Sequence, residues 1–380
     1  MSGLRAVLVG VLVSVSSPSF AEVPRCIASD RQLIEAIRAV HEKQHNVGVQ
    51  AAIRLNGRIV FSAGLGLADR ERKIPVTRQT RFPLASLTKA YTGVATLKAV
   101  ASGKLDLDVP IQKYVPEFPV KPELTITPRR LAAHRAGIHH WGPERRALYA
   151  RHFTRLADIV ALFKDDPLRP NAGKEYQYSS YGYNLLALAV ERTTGIEFTQ
   201  YVAQEVLGPL GLSKTHFDDV RHRFPNTTSL YSIYDPMTYA EVEGPPRKVP
   251  PLDYSHNLAA GNMSSTAEDV TKFGSALLTP GFLPSRQYNL LFVQPTFGGA
   301  PSAMSFGFFA PRAGAERRIT ISGANPGVQT GLAIYPDRGL AVAVLANTWG
   351  IDSRSGEMGV DLPRRLADLC RPVPSSSKPQ

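Results

Sequence analysis

The sequence predicts an α/β (α+β) fold: an antiparallel sheet built from both ends of the chain, flanked by helices, with a mostly helical lobe inserted between. Three observations carry this. Asn56-Gly57, the strongest short hairpin signal, joins two β patterns near the N-terminus. Two further strand patterns and a helical stretch lie near the C-terminus, over residues 328–370. The stretch between, about 83–290, reads mainly as helices and loops, so the two distant sets of strands are expected to share one sheet.

Taken in order, the chain begins with a targeting pattern. Arg5 precedes an apolar run, Ala6 to Val15, and Ser19-Phe20-Ala21 has the small-x-small form of a cleavage site. The run is shorter than the roughly 20 residues that a membrane span needs. Cleavage after Ala21 and export are expected, with no stable membrane insertion. Ser29 and Gln32 form a capping-box pattern that opens a helix over 29–45, with Leu33, Ile34, Ile37 and Val40 as its apolar stripe. Strand patterns follow at Val47–Leu55 and Arg58–Gly64. Pro83 precedes a helix carrying Leu87, Ala90, Val94, Leu97 and Val100, which Gly103 ends. A second helix follows Tyr176–Tyr183 and closes at Thr194-Gly195. Residues 218–257 form a long polar connection, of the kind that is either a binding rim or disordered. Strands at Val328–Tyr335 and Leu340–Asn347 and a helix at 362–370 complete the fold, and a low-complexity tail runs over 371–380. The expected organisation is a signal segment 1–21 and one domain over 22–370, its sheet lobe at about 25–82 and 291–370 and its helical lobe at about 83–290.

Composition narrows the function classes. The net charge of +12 favours anionic surfaces such as cell-wall polymers. The basic residues are spread along the chain without interleaved aromatics, so no nucleic-acid partner is expected. Cys26 and Cys370 are the only cysteines, and in an oxidising compartment they suggest a disulfide; two unrelated thiols remain the alternative.

The chemistry concentrates at Ser86-Leu87-Thr88-Lys89. Residues three apart on a helix share a face, so the Lys89 amine can reach the Ser86 hydroxyl, at a helix start that favours a developing anion. The pattern alone is weak, because Ser375–Lys378 in the tail matches it too. A second motif, Tyr176-Gln177-Tyr178-Ser179-Ser180-Tyr181-Gly182-Tyr183, supplies a tyrosine able to share a proton with Lys89.

With Leu124-Thr125-Ile126, His134-Arg135-Ala136-Gly137-Ile138, Val206–Leu212 and Ala260–Asp269, these motifs resemble the serine β-lactamase and penicillin-binding-protein family. The match is to its class C-like branch: D-alanyl-D-alanine carboxypeptidases, family VIII esterases and mitochondrial β-lactamase-like serine proteases. The resemblance implies that Ser86 is the acylated nucleophile, Lys89 its base and Tyr178 the relay to the leaving group, with Tyr176 and Tyr181 as rivals. Lysine is a poor base at its usual pKa near 10.4; burial beside Tyr178 is expected to favour its neutral form. The backbone N–H groups of Ser86 and Ala324 would form the oxyanion hole.

Two departures stand out. Ser180 replaces the asparagine that ends the tyrosine motif. The third motif reads Ile321-Ser322-Gly323-Ala324, with isoleucine where a basic residue selects a substrate carboxylate. Ser180, Ser322 and Gly323 remain substrate-binding candidates, and Arg317, Arg318 and His256 are candidates to replace the missing charge. The implied function is an acyl-enzyme serine hydrolase acting on a small-molecule or peptide substrate, cell-wall peptides included. Peptidase or esterase action is favoured over true β-lactamase. The alternative is a member that has lost catalysis and binds wall fragments or partner proteins. No cofactor and no metal are expected.

One rival motif is His41-Glu42-Lys43-Gln44-His45, an HExxH pattern. Ala51 stands where a longer zinc signature has its third ligand, and the pattern runs directly into the first strand, so helix-packing histidines are the expected reading. His139 and His140, being adjacent, are unlike a ligand pair. No G-x-S-x-G elbow occurs.

Overall fold

A computed structural model describes residues 25–371, apart from 141, 143–144, 223, 239, 311–315 and 350–355. The targeting pattern and the tail lie outside the described residues.

An eight-stranded, wholly antiparallel sheet forms the frame. Its strands are β1 (Gly48–Leu55), β2 (Arg58–Asp69), β3 (Ile74–Pro75), β4 (Met304–Ser305), β5 (Phe308–Phe309), β6 (Ile319–Asn325), β7 (Val328–Tyr335) and β8 (Leu340–Ala346), in the order β4-β5-β6-β7-β8-β1-β2-β3. The termini meet at its centre: Val49 pairs with Ala346 and Leu55 with Leu340. Asn56 and Gly57 both take positive φ, 48° and 79°, as a tight type I′ hairpin requires. β2 runs five residues past the predicted Gly64, far enough to pair with β3.

Five of the longer helices are α1 (Asp30–Lys43), α2 (Thr88–Ala101), α3 (Ser180–Thr194), α4 (Ala267–Ala276) and α5 (Leu362–Leu369). Both halves of the Ser29/Gln32 capping box are present at α1. The central strands β7 and β8 are buried throughout, and their side chains alternate between two cores. Ala333, Tyr335, Val342 and Val344 pack with Leu33, Ile37 and Leu366 of α1 and α5. Leu332, Ile334, Ala343 and Leu345 face Phe273 of α4 and the helical lobe. Cys26 and Cys370 are disulfide-bonded, joining the start of α1 to the end of α5 on the first face.

The described residues of the 218–257 connection form a rim held by short strand pairs. Its Tyr231–Ser232 strand pairs with Thr348–Trp349 and Arg247–Lys248. Asp69, buried at the end of β2, anchors this rim by accepting from Ser229 Oγ (2.8 Å) and Lys248 Nζ (3.2 Å), and from the Arg72 N–H (2.9 Å).

Candidate active site

Ser86 sits on a single 3₁₀ turn, Ala85–Leu87, that leads into α2. Ala85 before it is fully buried with φ of +48°, a left-handed conformation that costs a non-glycine residue roughly 1–3 kcal/mol. Its neighbour Leu84 is held from both sides: its N–H donates to Met263 O (2.7 Å) and its carbonyl accepts from Thr330 Oγ1 of β7 (2.8 Å). β6 runs directly beside this turn. A Cβ on Gly323 would collide with Leu84 O and stand 2.9 Å from Ser86 N, so only glycine lets the strand approach. Ala324, next on the strand, is exposed on the same edge.

Lys89, the second residue of α2, is fully buried. Its Nζ lies 3.3 Å from Ser86 Oγ, 3.0 Å from Ser180 Oγ and 2.8 Å from Ala260 O. Tyr178 OH donates to Ser86 Oγ at 2.7 Å, and Lys89 Nζ sits 4.8 Å from the Tyr178 ring centre. Ser86 Oγ thus accepts from both Tyr178 OH and Lys89 Nζ, and Nζ also donates to Ser180 Oγ and Ala260 O. Ala260 O is itself fixed by α2 and α3. Thr92 Oγ1 donates to Ala259 O (2.6 Å), while Asn184 accepts from Ala259 N–H (3.1 Å) and donates to His256 O (3.0 Å).

The rival tyrosines are occupied elsewhere. Tyr176 OH contacts Met304 Sδ at 3.0 Å, burial pushing its hydroxyl pKa upward, and Tyr181 stacks on Phe163. Ser180 accepts from Lys89, the job its hydroxyl can do from one bond shorter than asparagine. Gly323 reaches Ser86, whereas Ser322 alternates to the other face, its Cβ toward Gly359. Ile321 is 2% exposed and pairs with Leu332, a dry position. The replacement cations lie elsewhere. Arg317 pairs with Asp337 at 2.5 Å, roughly 23 Å along the strand from Ala324. Arg318 adjoins it, and His256 is fully buried beside Tyr149 and Tyr254.

The HExxH histidines do not share a helix. α1 ends at Lys43, and His45 lies exposed beyond it with φ of +50°. His41 is half-buried, and burial lowers its pKa. Among the described residues no group of three or more His, Cys, Asp or Glu could hold a metal ion.

Two contributors were not legible in the motifs: the Ala260 carbonyl and the histidines of the 134–140 segment. His134 packs against Tyr178 at an interplanar tilt of 32°, with ring centroids 4.5 Å apart, and His140 stands edge-on to it at 5.5 Å. A cavity of about 280 Å³ opens under the 218–257 rim, lined by Pro83, Gly261 and Asn325 rather than by Ser86, Lys89 or Tyr178. Asp218, Lys248 and Tyr254 line it.

A serine, a buried lysine and a tyrosine thus meet where this sheet adjoins the helical lobe, an arrangement able to support nucleophilic acyl transfer. The chain belongs to the Beta-lactamase family, whose profile matches residues 32–359. It is 28% identical to the human mitochondrial serine beta-lactamase-like protein LACTB, over 67% of this chain and 57% of that protein. It is also 28% identical to protein flp of Staphylococcus aureus (strain N315), over 84% of this chain and 63% of that protein. The chain thus spans less than two thirds of these curated relatives. The fold is shared with the D-amino acid amidase of Ochrobactrum anthropi SV3 (TM-score 0.75, 24% identity, 89% of this chain and 97% of that one).

Proposed function

We propose that this chain is an exported serine hydrolase that forms an acyl-enzyme on ester or amide bonds. One domain over residues 22–370 would carry the reaction, behind a cleaved signal segment. The observation that carries the reading is the pair of contacts at Ser86 Oγ: 2.7 Å from Tyr178 OH and 3.3 Å from a Lys89 Nζ that is sealed from water.

Ser86 Oγ attacks the carbonyl carbon while its proton passes to Lys89. The N–H groups of Ser86 and Ala324 stabilise the oxyanion of the tetrahedral intermediate. As that intermediate collapses, Tyr178 delivers a proton to the leaving alkoxide or amine and is reprotonated from Lys89. Water then attacks the acyl-enzyme with the same groups acting in reverse. The apolar Ile321 supports substrates without a carboxylate at that position, and so peptidase or esterase action over β-lactam hydrolysis.

Labelling with a fluorescent fluorophosphonate, compared with fluorescent penicillin, tests this. Strong fluorophosphonate labelling that disappears in Ser86→Ala is expected, with weak penicillin labelling. No labelling and no ester turnover would favour a family member that binds without reacting. Met1 at the N-terminus of the mature protein would contradict cleavage.

A further inference from the structure

Tyr178 has to hold its hydroxyl on Ser86 from a loop rather than from a helix or strand. Four hydrogen bonds fasten that loop to one segment. Gln177 N–H donates to His134 O (2.8 Å) and Ser179 N–H to His134 Nδ1 (3.0 Å). Ser179 Oγ donates to His139 O (2.8 Å), and Ser180 N–H to His140 Nδ1 (3.3 Å). Tyr178 is thus bracketed by bonds from the residues on each side of it.

We propose that His134 and His140 are positioning residues, whose unprotonated Nδ1 atoms grip the backbone after Tyr178 and fix its hydroxyl on Ser86. The proposal rests on the reading of Tyr178 as the proton relay.

The chemistry constrains both rings. A backbone N–H can only donate, so each Nδ1 must present a lone pair, and an imidazolium could not serve. Burial, aided by Lys89 and His140, holds the His134 pKa well below the ordinary histidine value. The titratable groups facing the pair are Lys89 from α2, Tyr176 and Tyr178 from the loop and Tyr183 from α3.

His134 is a costly residue to keep for stability alone. Its φ is +54°, and its buried Nε2 has no hydrogen-bond partner among the described residues, which leaves a desolvated polar atom uncompensated. Local cost at a reacting centre is where function overrides packing. The benefit is precision: a displacement of about 1 Å at a reacting group can cost about a hundredfold in rate.

The test uses the leaving group as a reporter. Esters sharing one acyl group but ranging from p-nitrophenol to a simple alkanol differ in their need for a proton from Tyr178. Asparagine places an oxygen near the Nδ1 position and tolerates left-handed backbone; glutamine places it one carbon further out. His134→Gln and His140→Phe are expected to lose about 10- to 100-fold in kcat on alkyl esters and less than about 3-fold on p-nitrophenyl esters, with KM little changed. His134→Asn and His140→Asn should recover most of that loss. Equal losses on both ester classes, or asparagine variants no better than the others, would overturn the clamp while leaving the hydrolase reading intact. If the His134 variants do not fold, the half-buried His140 pair decides alone. A wild-type protein that neither labels nor turns over any ester overturns the relay reading and the clamp with it.

Discussion

At the residue scale, the site divides its labour by reach. Lys89 touches Ser86, Ser180 and Ala260 but faces no solvent, so any proton it takes must leave through Ser86 or Tyr178. Tyr178→Phe removes that exit while keeping the ring on His134. Its expected effect is a kcat loss of about 10²–10⁴ with KM within a few-fold, read on an alkyl ester. Lys89→Met keeps the volume and removes the base; acylation by fluorophosphonate should fall by a similar factor. Ser86 and Lys89 were legible because helical spacing is local. Tyr178 was legible from its motif, although choosing it over Tyr176 and Tyr181 took the fold. The left-handed Ala85 was not legible, since nothing in an alanine announces φ of +48°. Nor were the roles of His134 and His140, which depend on contacts 40 or more residues away in sequence.

At the element scale, the helices that cover the two sheet faces have different tasks. α2 and α3 carry the chemistry, whereas α1 and α5 close the opposite face and are tied by Cys26–Cys370. The bridge spans 344 residues, so its cross-linking effect on the unfolded chain is large in principle, with measured gains typically about 2–4 kcal/mol. Reduction, or paired Cys26→Ser and Cys370→Ser substitutions, should lower the unfolding free energy by that amount, read as a lower urea midpoint. Ester turnover at 25 °C should survive, because the bridge lies across the sheet from Ser86; loss of turnover in a still-folded protein would contradict that separation. These elements were readable because their signals are short-range: a capping box, an Asn-Gly turn and alternating strand residues. The pairing of β8 with β1 was expected only as a shared sheet, since no local pattern encodes which strands become neighbours.

At the scale of the whole molecule, Asp69 joins the sheet to the rim of the cavity. Burial raises its pKa, but the donors from Arg72, Ser229 and Lys248 outweigh this and hold the carboxyl well below the usual range. The ion is therefore favoured in the folded state. Its stabilisation is present above the unfolded value near 4 and is lost as pH falls through the lower folded value. Asp69→Asn should thus destabilise at neutral pH, with the gap to wild type narrowing below about pH 4, read as urea midpoints across that range. A gap that stays constant into acid would mean that charge is not what holds the rim. The central seam has a consequence in time. β1 has β2 beside it within a few residues, but its other edge waits for Leu340–Ala346, nearly three hundred positions later. No chain that lacks Leu340–Ala346 can complete this sheet, and uniting the two ends carries the loop-closure cost of a long-range pairing. A chain kept unfolded until its last strands are available would avoid exposing that open edge, whereas premature collapse would leave it free to join a neighbour.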